Sequence, residues 1–209
     1  MNRKVGADLR AARVYGIKRG QRERPAAMSG PTQDRVTEIF FRLPSSAFCP
    51  LTSDIMPAVP GLRSPYAKIG RLIFFGRMLD KIRLHAAGKL PADYHANLGE
   101  PRPAVFDARC CRFLGVPYEE MRVRTLQGGT DEEMLAWAGS RGGLRRTDDD
   151  CLAWNHFLMK LGLRDDRAAI IRQRKIDSGM ATLPIETFFD LIEYDEGRDP
   201  QRDRPWEKV

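Results

Sequence analysis

Two of the three histidines in the chain, two adjacent cysteines and two aspartates lie close together in sequence. They are Asp80, His85, Asp93, His95, Cys110 and Cys111. Acyl transfer needs a nucleophile, a base beside it and a third group that orients the base. Either histidine could be the base, either aspartate could orient it, and either thiol or an activated water could attack. This set predicts a small hydrolase acting on an ester, lactone or amide bond.

The same histidines allow a metal-dependent version of this hydrolase. His85, His95 and a carboxylate could bind a divalent metal whose bound water attacks the substrate. The consecutive acids at 148–150 are a different case, because neighbouring side chains on a helix point about 100° apart and cannot converge on one cation. Their position after Thr147 indicates a helix N-terminus, where acids interact favourably with the helix dipole.

A set of basic side chains supports a non-enzymatic alternative. The set comprises Arg71, Arg77, Lys81 and Arg83, and Tyr94 follows in the next loop. In a shared cleft these residues would bind a small anionic ligand or a protein partner. The spacing also has a structural interpretation, because Asp80 lies three residues from both Arg77 and Arg83 on a helix and can pair with both. The spacing favours this ion-pair cluster, which would fix the orientation of the helix.

The four basic residues belong to a largely apolar stretch that begins at Ser64, and we expect the rest of the domain to pack around it. Ser64 is a suitable N-cap, and Pro65 fits a first helical position because it has no N–H to lose. Apolar residues then recur at steps of three and four, which predicts a central helix over residues 66–87. Its apolar face is too wide for a surface helix, so we expect other helices to cover it. A pocket is expected where it meets the 90–100 loop and the helix that contains Cys110.

Shorter helical patterns follow along the chain, and two of them have clear starts. Thr130 opens a capping box, and Thr147 precedes the three acids. No alternating strand pattern and no internal repeat is found. We expect an all-α fold, a compact bundle of six or seven helices around the central helix with irregular proline-rich straps. The domain would span residues 34–198, between a basic disordered tail (1–33) and a polar C-terminal tail (199–209).

The positive charge of the chain is concentrated at its N-terminal end. The formal net charge is +7, and residues 1–27 hold eight basic and two acidic side chains, a net of +6, which leaves +1 for the rest. Nucleic-acid binding is therefore expected only through this tail, as a salt-dependent attraction for phosphate. Translation that started at Met28 instead of Met1 would omit the tail.

The composition also bears on location. No apolar run approaches the ~20 residues that cross a bilayer, and the N-terminus has no apolar core typical of a secretory signal. The four cysteines form no C-x-x-C pair, so reduced thiols are expected. These features predict a cytoplasmic protein. The common nucleotide-binding, hydrolase-elbow and zincin motifs are absent from the sequence.

Four blocks of the sequence, in this order, carry a resemblance to a known family: LRSPYAKIGRLIFFGRMLDKIRLHAAGKLPADYHANLG, FDARCCRFLGVPYEEM, GGTDEEMLAWA and ETFFDLIEYDEGR. They resemble a family of uncharacterised bacterial proteins that is catalogued as a domain of unknown function. The resemblance covers about Leu51 to Arg198. It implies a helical cytosolic domain, and it carries no activity, catalytic residue, cofactor or oligomeric state with it.

Overall fold

The computed structural model describes residues 58–209, so the predictions for the basic tail and the first proline-rich strap lie outside the described residues. The described part is mostly helical, which confirms the all-α prediction. Its elements are, in chain order, β1 Lys68–Ile69, β2 Leu72–Ile73, α1 Phe75–Ala86, a 3₁₀ helix Ala92–Asn97, α2 Phe106–Leu114, α3 Tyr118–Leu126, α4 Asp131–Arg141, α5 Asp148–Lys160, α6 Ala168–Asp177, α7 Phe188–Asp195, α8 Pro200–Asp203 and a 3₁₀ helix Pro205–Lys208.

The central helix is shorter than predicted, because β1 and β2 form an antiparallel hairpin before it. Gly70 makes the turn with a φ of 54°. Asn155 of α5 satisfies the backbone of the second strand: its Oδ1 accepts from Ile73 N at 3.1 Å, and its Nδ2 donates to Arg71 O at 3.0 Å. The prediction that the helix starts at Pro65 was wrong. A side chain from a distant helix stabilises the extended backbone here, and local spacing does not reveal it.

Helix α1 forms the centre of the main core, as expected from its wide apolar face. Every side chain from Phe75 to Ile82 is buried, including three charged ones. The helix packs against α3 and β1, and the core around it takes apolar side chains from α2, α4, α5 and α7. Phe189 of α7 is fully buried, with ring centroids 5.0 Å from Tyr66 and 5.5 Å from Phe106. This packing holds α7 against α2 and against the segment before β1.

Capping boxes begin three of the helices. At Thr130 and Thr147 the side-chain hydroxyl accepts from the backbone N–H three residues on, and the acid there returns the bond, which confirms both predicted helix starts. Thr187 caps α7 in the same way through Asp190. Each box satisfies two backbone donors that a helix N-terminus otherwise leaves without partners.

The C-terminal part of the chain folds back onto the domain. Apolar side chains of α6, α7 and the turn between them form a second, smaller cluster: Ile171, Met180, Ile185 and Leu191. The chain after α7 returns to the main core, where the Trp206 ring lies 6.3 Å from that of Tyr66. Within residues 58–209, no helix is both long and apolar enough to cross a membrane.

Candidate functional site

A cavity of about 390 Å³ opens beside the N-terminal part of α1, where Phe74, Arg77 and Lys81 line it. It lies where α1, the 3₁₀ helix Ala92–Asn97 and the start of α2 meet, and this is the place where the sequence predicts a pocket. Helices α6 and α7, which the sequence did not connect with the pocket, complete its wall. The lining combines aromatic and aliphatic side chains with charged groups of both signs, a composition typical of sites for small organic ligands.

One wall of the cavity is a run of three aromatic rings. The centroids of Phe74 and Phe106 are 5.1 Å apart, and those of Phe106 and Phe188 are 6.3 Å apart. A cation lies against each end of the run: Lys81 Nζ is 5.4 Å from the Phe74 centroid, and the Arg174 guanidinium carbon is 5.9 Å from the Phe188 centroid. Both contacts are within the range of a cation–π interaction.

Phe74 has an unusual backbone conformation at the start of this run. Its φ of 66° is in the left-handed region, which a bulky residue rarely adopts. The backbone N–H donates to Pro65 O at 3.0 Å, and the side chain is buried. This geometry turns the chain from β2 into α1 and places the ring on the cavity wall. Backbone strain of this kind is common at ligand sites.

Lys81 lies on the cavity wall in a buried ion pair. Its Nζ donates to Asp107 Oδ1 at 2.5 Å and to Asn97 O at 3.2 Å, and Gly99 N donates to Asp107 Oδ2 at 3.0 Å. Burial lowers the pKa of the Lys81 ammonium and raises that of the Asp107 carboxyl, and the attraction between the two charges only partly opposes both shifts. The pair is therefore buried at the edge of the cavity, with Lys81 4% exposed and Asp107 fully buried.

A second buried pair joins α1 to the end of α7. Arg77 donates to both carboxylate oxygens of Glu196, and Tyr94 Oη donates to Glu196 Oε1 at 2.9 Å. Arg198 also bonds Glu196. Burial opposes ionisation of Glu196, but the bonds and charge of Arg77 outweigh it, so the pKa of the Glu196 carboxyl lies below its ordinary value. Burial and the adjacent Glu196 raise the pKa of Tyr94, which stays a neutral hydrogen-bond donor.

Three further arginines line the cavity without a carboxylate partner among residues 58–209. They are Arg102, Arg167 and Arg174. Two acids, Asp93 and Asp195, share the lining. The pKa of Asp195 is raised, first by burial and then by the neighbouring Glu196. The arginines thus give the cavity three cationic groups that form no salt bridge within residues 58–209.

The two predicted histidines lie next to each other on the surface and do not line the cavity. The ring centroids of His85 and His95 are 4.9 Å apart in an edge-to-face contact, and both side chains are exposed. His95 Nε2 lies 3.1 Å from Leu90 O. Asp93 lies on the cavity wall. Within the described part of the chain, no group of three His, Cys, Asp or Glu side chains is arranged to hold a metal ion.

The two predicted thiols lie in the main core. Cys110 is fully buried and Cys111 is 1% exposed, and neither lines the cavity. Burial raises the pKa of the Cys110 thiol well above its ordinary value and that of Cys111 to about 12. A thiol in this state is a poor nucleophile, because the thiolate is the reactive form.

The remaining candidates of the predicted sets are held in ion pairs. Asp80 accepts two hydrogen bonds from the Arg63 side chain, at 2.6 and 2.7 Å. Its contact with Arg83 is longer, at 3.9 Å. Arg83 pairs more closely with Asp131, at 2.8 Å. Arg71 is exposed in the hairpin turn and pairs with Asp148 of α5, while Arg77 and Lys81 line the cavity. Arg63 is therefore the main partner of Asp80, and the predicted pairing of Asp80 with Arg77 was wrong, because Arg77 pairs with Glu196 instead.

Sequence reasoning missed the part of the site that α6 contributes. Arg167, Ile170 and Arg174 follow one another at steps of three and four, which places them on one face of a helix. That spacing was available in the sequence. What it does not show is that this face is turned toward α1 and the start of α2.

Fold and site together define a small helical domain with one aromatic-walled, charge-lined cavity among its described residues. The chain belongs to the family described as Domain of unknown function (DUF5069), whose sequence model matches residues 59–198. This match confirms the resemblance seen in the sequence, and every residue that lines the cavity falls within it. A comparison with curated proteins found no match.

Proposed function

We propose that the protein binds a small organic acid, with an anionic group and an apolar body, in the cavity between α1, α2, α6 and α7. This is a non-enzymatic binding function. The proposal differs from the predicted basic cleft in the residues that would hold the anion, because two of the four basic residues of that cleft lie outside the cavity lining.

The pattern of charge pairing carries this proposal. The cations buried in the α1 wall already have carboxylate partners: Arg77 pairs with Glu196, and Lys81 pairs with Asp107. Arg167, the N-cap residue of α6, and Arg174 within that helix have none among residues 58–209. A guanidinium offers up to five N–H donors in a fork that matches a carboxylate, so a ligand carboxylate would find bidentate partners there.

The apolar lining supports a ligand with a hydrophobic body. Aromatic rings of Phe74, Phe106 and Phe188 and aliphatic side chains of α7 share the cavity with the charged groups. Burying apolar ligand surface contributes roughly 25 cal/mol per Å², so a fully polar anion such as inorganic phosphate would forgo most of the available free energy. The volume of about 390 Å³ suits a compact molecule rather than a peptide or polymer.

The hydrolase interpretation stays a prediction. Its thiol version would need an exposed, ionisable cysteine, and burial with a raised pKa at Cys110 and Cys111 lends it no support. Its metal version would need a third ligand beside His85 and His95. A reducing, cytoplasmic location is part of the present proposal, supported by three buried cysteines that carry free thiols within the described residues.

Calorimetric titration with para-isopropylbenzoate tests the proposed binding. This probe has one carboxylate on a rigid apolar body. Replacing Arg167 and Arg174 together with glutamine should weaken binding by roughly tenfold or more, because a charge-assisted hydrogen bond contributes about 1.5–3 kcal/mol. Arg172→Gln is the matched control, since Arg172 is exposed on the same helix and does not line the cavity. Ala104→Trp, at an exposed position of the lining, should block the cavity and abolish binding.

Three results would contradict the proposal. The first is the absence of saturable binding to the wild-type protein at millimolar acid. The second is equal weakening by Arg172→Gln and by the Arg167 and Arg174 changes, which would indicate general surface electrostatics. The third is unchanged binding in Ala104→Trp, which would place the acid outside the cavity.

A further inference from the structure

The Lys81 ammonium has hydrogen-bonding capacity that the surrounding protein does not use. An ammonium has three N–H donors. Within residues 58–209, Nζ has two oxygen acceptors, Asp107 Oδ1 and Asn97 O. The face of Phe74 also lies near Nζ, with the ring centroid 5.4 Å away. Lys81 is only 4% exposed and lines the cavity, so a group inside the cavity can supply the missing acceptor.

The position of Lys81 relates this third donor to the rest of the site. Lys81 lies against Phe74 at one end of the aromatic run, and Arg174 lies against Phe188 at the other end. The aromatic run therefore has a cation at each end. Aromatic pairs prefer centroid separations of roughly 4.5–7 Å, and the run keeps its own rings at 5.1 and 6.3 Å. The planes of successive rings in the run are inclined by 38° and 76°, so an aromatic ligand ring would add an edge-to-face or tilted contact of the kind the run already makes.

We propose that the ligand is an aryl carboxylate whose far end carries a neutral carbonyl or hydroxyl oxygen, and that Lys81 Nζ donates its third hydrogen bond to that oxygen. The inference rests on the proposed function and names the class of acid that the cavity selects. Lys81 is then the residue that determines specificity, while the arginines of α6 hold the carboxylate.

The charge balance at Lys81 favours a neutral oxygen over a second carboxylate. Asp107 already neutralises the ammonium, so another anion beside the pair would add an unmatched buried charge. The lowered pKa of Lys81 and the raised pKa of Asp107 indicate that charge is disfavoured at this end of the cavity. A carbonyl or hydroxyl oxygen accepts the hydrogen bond without adding a charge.

Three benzoates of similar shape, which differ in the group para to the carboxylate, test the inference by calorimetric titration. They are para-acetylbenzoate, para-isopropylbenzoate and terephthalate. The wild-type protein should bind the acetyl compound about tenfold more tightly than the isopropyl compound, because only the first has an acceptor for Lys81. Terephthalate should bind no more tightly than the isopropyl compound. In the double variant Lys81→Met with Asp107→Asn the acetyl preference should disappear, while para-isopropylbenzoate still binds.

The double variant should still fold, because it removes both members of the buried pair and leaves neither charge without its partner. Its new amide oxygen can still accept from Gly99 N, the other donor to Asp107. Equal affinity of the wild type for the acetyl and isopropyl compounds would overturn the inference and leave the proposed function intact. The same holds if the preference survives in the double variant, or if terephthalate binds most tightly. Failure of all three acids to bind would overturn both.

Discussion

Replacing Lys81 with methionine should destabilise the protein far more than replacing Lys81 and Asp107 together. Lys81 is 4% exposed and Asp107 is fully buried. Methionine retains most of the apolar stem of lysine, so the single variant mainly removes a charge. Asp107 then keeps only the Gly99 N–H as a donor among the described residues, which leaves a buried carboxylate without a counter-ion.

The expected magnitudes follow from this loss of pairing. Removing one partner of a buried ion pair costs about 3–5 kcal/mol, whereas replacing both partners by neutral groups is often close to neutral. We therefore expect Lys81→Met to lower the free energy of unfolding by about 4 kcal/mol, and the double variant with Asp107→Asn by about 1 kcal/mol or less. With a urea m-value of about 2 kcal/mol/M, the single variant should lose about 2 M in its unfolding midpoint.

Urea unfolding at several pH values checks both the size and the sign of the effect. Burial already raises the pKa of Asp107 in the folded protein, and Lys81 provides the largest opposing influence. A carboxyl whose folded pKa is raised destabilises the fold increasingly as pH rises, and this cost disappears below its ordinary unfolded value. The gap between the single and double variants should therefore be largest near pH 7 and close in acid. Equal midpoints at pH 7, or a gap that widens on acidification, would refute the argument.

Three further predictions concern local features of the fold. Thr187→Ala should cost about 1 kcal/mol by thermal or urea unfolding, because it removes the cap of α7, and no loss would contradict the capping role. Burial opposes ionisation of Asp131, but hydrogen bonds from Arg83 and Arg63 outweigh burial and lower the pKa of its carboxyl. Asp131→Asn should therefore lower the free energy of unfolding at neutral pH, and the variant should match the wild type in strong acid. In a Cys49→Ser background, a thiol reagent should label the buried cysteines of the described domain only at the rate of unfolding, and rapid native labelling would contradict their burial.

The helix starts could be predicted from the sequence because capping is local. The hydroxyl of Thr130 and the acid three residues later satisfy each other's backbone donors, and no distant residue takes part. The same holds at Thr147. For these elements the identity of a few consecutive residues decides the structure, and the predicted and observed starts agree.

The hairpin before α1 could not be predicted in this way. Its apolar residues continue the helical period of α1, but Asn155, which lies 84 residues from Arg71, bonds the backbone of the second strand. Phe74 then turns the chain from the second strand into α1 with a left-handed φ. Neither feature leaves a signal in the spacing of residues 64–75, because both depend on the position of α5 and on the cavity wall that the Phe74 ring joins.

The same distinction explains which parts of the site the sequence revealed. Lys81 and Tyr94 could be named from the sequence because they lie within one local stretch. Their hydrogen-bond partners, which decide what each side chain can do, come from distant parts of the sequence. Lys81 is neutralised by Asp107 from α2, and Arg77 by Glu196, which is 119 residues away. A basic residue whose charge is already matched cannot hold a ligand anion by charge alone. In the proposed site the anion is therefore bound by Arg167 and Arg174, and Lys81 has one hydrogen bond left to donate.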